Sequence, residues 1–235
     1  SPHDIKKFST DFMGTGEGNQ AYGWGLYFGN EDVSGRGGYY DKMFSNTIRY
    51  KGKVLPDDGT PQSVAIETLW GYDGDKANAL EDASPWLKKH IEKIDYGDVE
   101  IGSKVYEVNI LPDVDKLLLW DKPMSEQSAF ILQSLSDLTL SADFKPAGIS
   151  AMRVRNMMNG DLSQATPRDL LNGLAEGNYE SKKASMALLD AGIKGIQYAD
   201  GASRTGKPED FNFNYVLFDG NDVEIVKQSV SHGRK

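Results

Sequence analysis

The hydrophobic pattern changes its period along this chain, and the order of those changes constrains the fold more than any other feature. The stretch from Pro61 to Ile94 repeats its apolar residues at helical spacing, and from Lys104 the pattern switches to the alternation typical of strands. Further helical stretches are predicted at 125–138, 167–174 and 181–191, and further strands at 117–120, 195–198, 213–218 and 223–230. Because helices and strands do not alternate regularly, we predict an α+β fold and not a doubly wound sheet.

Length and composition favour a single domain. A chain of 235 residues with 39% hydrophobic residues can build one sizeable core, or at most two small ones. No linker separates its regions cleanly. We therefore expect residues 1–235 to fold as one domain.

Glycine and aromatic residues are concentrated in the N-terminal third. The segment Gly23–Gly29 reads Gly-Trp-Gly-Leu-Tyr-Phe-Gly. Its glycines would let the backbone approach a flat ligand closely, and Tyr27 offers a ring that can stack on that ligand. The alternative is an edge strand whose glycines form bulges and whose tyrosine packs in the core.

A second glycine-rich segment, Gly14–Gly18, resembles a phosphate-binding loop only in part. No Lys-Ser/Thr pair follows it and no clear strand precedes it, so it matches neither the Walker loop nor the dinucleotide fingerprint. Its backbone amides can still cup a pyrophosphate. A plain flexible loop is the alternative.

Charge and residue content exclude several classes of function. Acidic residues outnumber basic ones by 35 to 26, and the net charge of −9 disfavours binding to nucleic acid. The sequence has no cysteine, which excludes disulfides, thiolate metal sites and a cysteine nucleophile. Its acidic clusters lack the spacing of a calcium loop, so we predict no metal. No apolar run approaches the roughly 20 residues of a membrane-spanning helix, and we expect a cytoplasmic protein without a membrane partner.

An ordered set of segments resembles a known enzyme family. The set comprises Ser1–Asp4, Gly14–Ala21, Gly23–Phe28, Tyr50–Lys53, Leu119–Pro123, Ala191–Tyr198 and Asn214–Asp219. It resembles the ADP-ribosyltransferase domain of phage and mobile-element polyvalent proteins, a relative of the diphtheria-toxin and poly(ADP-ribose) polymerase group. The resemblance spans nearly the whole chain. It implies a split β-sheet core, with the helical stretch at about 60–97 as an insertion.

The resemblance also implies an NAD site. In this family a strand ends in His-Gly-Ser/Thr; Ser1 would be the last residue of that motif, so His3 is not its histidine. One tyrosine of the family stacks on nicotinamide and another closes the opposite face of the ring. The first matches Tyr27, and the second matches Tyr39 or Tyr40. The positions implied to bind NAD are Ser1, Gly16, Gln20, Gly25, Tyr27, Phe28, Tyr39 and Tyr40.

The chain departs from the family's best-known pattern at one position. Polymerases of the group carry a glutamate just before the tyrosine of the last motif strand, where this chain has Asn214. A carboxylate there would stabilise the positive charge that grows on the ribose as the glycosidic bond of NAD breaks. Asn214 carries no charge, so elongation of a poly(ADP-ribose) chain is doubtful. Transfer of a single ADP-ribose stays plausible, because positioning of the substrate supplies much of the reduction in the activation barrier. The compensating carboxylate could be Glu17 or Glu209, although either could equally be a solvated surface acid.

The resemblance therefore predicts an NAD-dependent mono-ADP-ribosyltransferase that modifies a protein and releases nicotinamide. Its predicted catalytic residues are Tyr27, Asn214 and Glu17, its substrate is NAD, and its partner would be an acceptor protein in a bacterial host or target cell. Two alternatives stay open. One is an NAD glycohydrolase, in which water replaces the acceptor; the other is an inactive binding module, which the uncharged Asn214 favours.

Overall fold

Helices and several β-sheets are mixed in this chain, as an α+β fold requires. The computed structural model describes residues 5–13, 20–29, 47–56, 58–102, 104–140, 149–175, 182–201, 203, 207 and 211–230. The α-helices of these stretches are α1 Pro61–Gly71, α2 Lys76–Asp82, α3 Pro85–Ile91, α4 Ala129–Leu140, α5 Ile149–Met158, α6 Pro167–Leu174 and α7 Lys182–Asp190. The strands are β1 Leu26–Phe28, β2 Ile48–Tyr50, β3 Lys53–Val54, β4 Val99–Ile101, β5 Lys104–Ile110, β6 Leu117–Leu119, β7 Gly195–Ala199, β8 Phe213–Leu217 and β9 Val223–Val230. None of the described helices is both long enough and apolar enough to cross a bilayer.

The chain forms two compact units. Of the described residues, unit 1 comprises those within 47–106 and 228–230, and unit 2 comprises those within 5–29 and 107–227. The single domain over residues 1–235 stays a prediction. Strands β5 and β9 form a two-stranded sheet of their own.

Unit 1 packs three helices and a small antiparallel sheet around one core. The sheet has the order β3-β2-β4, with Arg49 opposite both Val54 and Glu100. Helix α1 begins at Pro61 because Thr60 accepts a hydrogen bond from a first-turn amide and proline suits the first helical position. The core consists of Ile48, Ala65, Ile66, Leu69, Ala79, Leu87, Ile91 and Ile94.

The turn after α1 depends on Gly74. Its φ of +78° lies in the left-handed region, and its N–H donates a hydrogen bond to the Leu69 carbonyl, 2.8 Å from N to O. A side-chain carbon at this position would overlap the ring of Tyr96. Both the backbone conformation and the neighbouring ring therefore require glycine.

We expect Gly74→Ala to lower the free energy of unfolding by about 1–3 kcal/mol, because the left-handed conformation and the displaced ring both oppose a methyl group. The matched control is Gly71→Ala at the end of α1, where nothing lies within 4 Å of the added carbon. That control should be neutral or stabilising by up to about 1 kcal/mol. Urea unfolding followed by circular dichroism measures both. Equal stability of the two variants would contradict the role of the turn.

Unit 2 is built on a four-stranded sheet of order β1-β8-β7-β6. Strands β6 and β7 are parallel, whereas β8 is antiparallel to both of its neighbours. Residues opposite each other across a sheet share a face, and one such row is Tyr27, Val216, Ile196 and Leu118. The last three of that row are fully buried and belong to the helical core of the unit. The helical residues of that core include Ile131, Leu135, Val154, Leu170, Leu171, Leu174, Ala184 and Leu188.

Helix α6 shows why local sequence places these helices where it does. Thr166 and Asp169 form a reciprocal capping box, and Pro167 occupies the first turn. The helix buries Leu170, Leu171 and Leu174 on one side. Capping and an apolar stripe together define its start and its orientation.

Candidate functional site

One end of the four-stranded sheet collects the residues of the candidate site. Strands β1, β6 and β7 finish at this end, and β8 begins there because it runs antiparallel to β1 and β7. Side chains that follow the carboxyl ends of neighbouring strands are brought together, which is where α/β sheets commonly bind ligands. We call this end the C-terminal end of the sheet.

Tyr27 is held by the turn that precedes its strand. Its hydroxyl donates to the Gly23 carbonyl, 2.7 Å away, and accepts from the Tyr22 N–H at 3.0 Å. The same turn is closed by the Gly23 N–H, which donates to the Gln20 carbonyl at 3.0 Å. The orientation of the Tyr27 ring is therefore set by backbone groups, and the ring is half-buried against the core.

Four rings form an aromatic cluster at the C-terminal end of the sheet: Tyr22, Tyr27, Trp120 and Tyr198. Tyr22 stacks on Tyr198 with centroids 3.9 Å apart and an angle of 15° between the rings. Trp120 meets Tyr22 edge-on at 5.2 Å, and Tyr27 meets Tyr198 edge-on at 6.5 Å. All four are partly buried, so the cluster caps the core and reaches the surface. Arrangements of this kind are favourable for binding flat or cationic ligands.

Asn214 lies beside the aromatic cluster and contacts a carboxylate. It is opposite Tyr198 in the pairing of β7 with β8, and only 5% of its surface is exposed. Its Nδ2 lies 3.5 Å from Oδ1 of Asp200, the residue that follows β7. The buried Asn214 amide and the Asp200 carboxylate thus lie next to one another, beside Tyr198.

The backbone around Asp200 is fixed by a local network. Its N–H donates to the Asn212 carbonyl at 2.8 Å, and its carbonyl accepts from the Ser203 N–H at 3.1 Å. The Ser203 hydroxyl also donates to the Asp200 carbonyl, at 3.0 Å, and accepts from the Asn212 N–H at 3.1 Å. These bonds join the end of β7 to the start of β8 and fix the backbone that carries the Asp200 carboxylate.

A second carboxylate at the same end of the sheet has a different role. Oδ2 of Asp121 accepts a hydrogen bond of 2.6 Å from the Ala199 N–H, and the Trp120 N–H donates to the Gln197 carbonyl at 2.8 Å. These bonds continue the pairing of β6 with β7 beyond the last residue of β6. Asp121 thereby supports the position of Trp120.

The other described residues of the predicted NAD site are Gln20, Gly25 and Phe28, and each has a structural contact of its own. Phe28 follows Tyr27 in the strand and so points to the opposite face of the sheet, where its ring contacts Phe8 at 5.0 Å. At Gly25 an added side-chain carbon would lie 2.6 Å from Val216, so the bare backbone serves close packing against β8. The Gln20 carbonyl accepts a hydrogen bond from the Gly23 N–H in the turn that precedes the strand of Tyr27.

Other predicted positions lie outside the described residues. They are Ser1, Gly16, Glu17, Tyr39, Tyr40 and Glu209. Of the predicted catalytic set, the structure therefore brings together Tyr27 and Asn214, which both neighbour Tyr198.

Sequence reasoning did not single out Tyr22, Trp120, Tyr198 or Asp200 as site residues. A signal for three of them was present, because Trp120, Tyr198 and Asp200 lie at or just after the ends of the predicted strands at 117–120 and 195–198. If β6 and β7 are parallel, such residues meet at one end of the sheet. The sequence did not reveal that pairing.

Among the described residues no group of three or more histidine, aspartate or glutamate side chains could hold a metal ion. The aromatic cluster, Asn214 and Asp200 instead combine flat apolar surface with one negative charge. No protein-family model, curated protein or solved structure matches this chain.

Proposed function

We propose that this protein is an NAD-dependent mono-ADP-ribosyltransferase, which transfers ADP-ribose from NAD to an acceptor protein and releases nicotinamide. One observation carries the proposal. Tyr27 and Asn214 were both predicted to act on NAD, they come from opposite ends of the chain, and they neighbour the same residue, Tyr198. A split β-sheet core of the transferase kind is part of the same proposal.

The aromatic cluster suits the nicotinamide half of NAD. This ring carries a positive charge before the glycosidic bond breaks and none afterwards. The electron-rich faces of tyrosine and tryptophan attract a cationic ring by roughly 0.5–2 kcal/mol, and this attraction is lost when the ring becomes neutral. The cluster therefore favours the bound substrate over the released product at that position.

Arg168 supplies positive charge near the same cluster. It lies in the first turn of α6, is exposed, and its guanidinium carbon is 5.7 Å from the centre of the Trp120 ring. Guanidinium groups bind phosphate oxygens through paired N–H donors. We assign Arg168 to the diphosphate of NAD in this proposal.

Asp200 is the carboxylate that we assign to the reaction itself. When the bond between C1′ and the nicotinamide nitrogen breaks, its electron pair leaves with nicotinamide and positive charge develops on the ribose. A fixed carboxylate stabilises that charge, and Asn214, 3.5 Å from Asp200, orients the carboxylate and can donate a hydrogen bond to it. The acceptor atom then bonds to C1′ and gives its proton to water. Asp200 thus supplies the charge that Asn214 lacks.

Incubation with biotinylated NAD and a bacterial lysate tests the proposal. We expect biotin-labelled protein bands together with free nicotinamide. Free nicotinamide without labelled bands would identify a glycohydrolase instead, and neither product would identify a binding module. Boiled protein serves as the control, because labelling that survives boiling is not enzymatic.

A further inference from the structure

A groove in unit 1 carries an unusual set of charges for an acidic protein. It has a volume of about 650 Å³ and lies between the β2–β3 hairpin and the end of α3. Its polar lining comprises Tyr50, Lys51, Lys53, Gln62, His90 and Lys93. We call it the lysine groove. The lining has three lysines and no carboxylate, in a chain whose net charge is −9.

Two of these lysines are not neutralised by the part of the chain that the structure describes. Lys53 and Lys93 are exposed and form no ion pair with any described residue. Lys51 lies 3.9 Å from the Asp98 carboxylate, but both side chains are well exposed, and such pairs are weak. Like charges gathered in a concave surface reinforce one another and attract anions.

The kind of cation indicates the kind of anion. The lining contains lysines and a histidine but no arginine. The guanidinium group binds carboxylates and phosphates alike through its flat, forked donors, whereas the ammonium group acts as a point charge that suits the compact, multiply charged phosphate. The nearby Arg49 is buried, and its Nη1 donates to the Gly102 carbonyl at 2.6 Å.

Size and surface indicate a small organic phosphate. Binding sites for small molecules occupy roughly 300–1,000 Å³. The groove also has apolar lining, contributed by Val54, Leu55, Pro56 and Ile94. We infer that the lysine groove is a binding site for a phosphorylated small molecule, with its phosphate on the lysines and an apolar part against the apolar lining. This site is separate from the transferase proposal and does not depend on it.

Titration with inorganic pyrophosphate tests this inference, with citrate as a probe of similar negative charge whose anionic groups are all carboxylates. Calorimetry should detect pyrophosphate binding to the wild-type chain. We expect citrate to bind about tenfold more weakly or not at all. The lysine ammonium groups act as point charges, and these interact more strongly with the dense charge of a phosphate than with separate carboxylates. The amide NMR signals of Tyr50, Lys53 and His90 should shift with pyrophosphate.

Charge reversal locates the site. We expect Lys53→Glu and Lys93→Glu each to weaken pyrophosphate binding by about tenfold, since each replaces attraction by repulsion. The matched control is Lys89→Glu, which changes an exposed lysine of α3 outside the groove lining and should leave binding within about twofold. These side chains are exposed, so the variants should fold normally, and their circular dichroism spectra check this.

Three results would overturn the inference. They are no binding by the wild-type chain, equal affinity for citrate and pyrophosphate, and an equal loss of affinity in Lys89→Glu. The first would show that the groove holds no phosphate, and the other two that only net charge matters. NAD turnover is not measured in this experiment, so failure of the transferase proposal would leave these results unchanged.

Discussion

Replacement of Asp200 by Asn should lower kcat for nicotinamide release by about 100- to 1,000-fold, the usual effect of removing one group that stabilises transition-state charge. Asparagine has the same shape as aspartate and keeps an oxygen near the Asn214 amide. NAD affinity should therefore stay within about threefold, because the charge is needed most when the glycosidic bond breaks. Measurement of nicotinamide release, together with calorimetry for the NAD affinity, separates the two effects.

A charge exchange makes this prediction more specific. In the double variant Asp200→Asn with Asn214→Asp, the carboxylate and the amide trade places across the 3.5 Å contact. We expect it to recover about tenfold of the activity lost in Asp200→Asn, because a charge at either position lies near the developing cation.

The comparison variant is Asp121→Asn, which removes a carboxylate from the same end of the sheet but keeps an oxygen that can accept from Ala199. Its kcat should fall by less than about fivefold. If Asp200→Asn kept full activity while the wild-type protein turns over NAD, the assignment of Asp200 would be wrong and the proposed function would stand. If the wild-type protein does not turn over NAD, the proposed function fails first.

The second large effect is expected at Tyr198, the ring that both Tyr22 and Tyr27 contact. Tyr198→Leu removes this ring, and we expect NAD affinity to fall by about 10- to 30-fold, equivalent to about 1.4–2 kcal/mol of stacking and cation–π energy. Tyr198→Phe keeps the ring and should bind NAD within about threefold of the wild-type affinity. Calorimetric titration with NAD measures both.

Thermal unfolding monitors whether the Tyr198 variants remain folded. A folded Tyr198→Leu protein with wild-type affinity would show that nicotinamide does not bind at the aromatic cluster. The edge contact of Tyr27 with Tyr198 would then serve packing alone.

Most helices could be predicted because the signals that define them are local. Helices α1–α3 occupy the stretch predicted from Pro61 to Ile94, and Asp75 accepts hydrogen bonds from the first-turn amides of α2. Helix α6 has the predicted bounds, Pro167–Leu174. The proline, the capping residue and the apolar residues of a helix all lie within a few residues of one another, so the helix can be predicted without knowledge of distant contacts.

Predicted bounds were wrong where a distant contact competes with the helix. The helical stretch predicted at 125–138 begins only at Ala129. The side chain of Gln127 is buried there, accepts from the Leu119 N–H at 2.8 Å and donates to the Leu119 carbonyl at 2.9 Å. The segment before α4 is thereby fixed to β6 and cannot continue the helix.

The small sheet of unit 1 was not predicted. Its strands β2, β3 and β4 have two or three residues each. Alternation cannot be recognised over so short a length. Their pairing also joins segments far apart in the chain, since Ile48 lies opposite Ile101.

Of the candidate site, the sequence indicated Tyr27 and Asn214 one at a time, through resemblance and residue chemistry. It did not indicate the residues that lie next to them in the folded protein. Tyr22 reaches Tyr198, and Asp200 reaches Asn214, only because β8 runs antiparallel between β1 and β7.

Residue order alone was therefore sufficient for the α+β class and for most helices of this protein, because hydrophobic spacing and helix caps act over one or two turns of chain. Only the tertiary structure decided which residues together form the candidate site. Strand pairing depends on burial of side chains contributed by the whole unit, and a shift of one residue would turn Tyr198 and Asn214 to the other face of the sheet. The arrangement of β1, β6, β7 and β8 therefore determines which residues lie next to Tyr27 and Asn214.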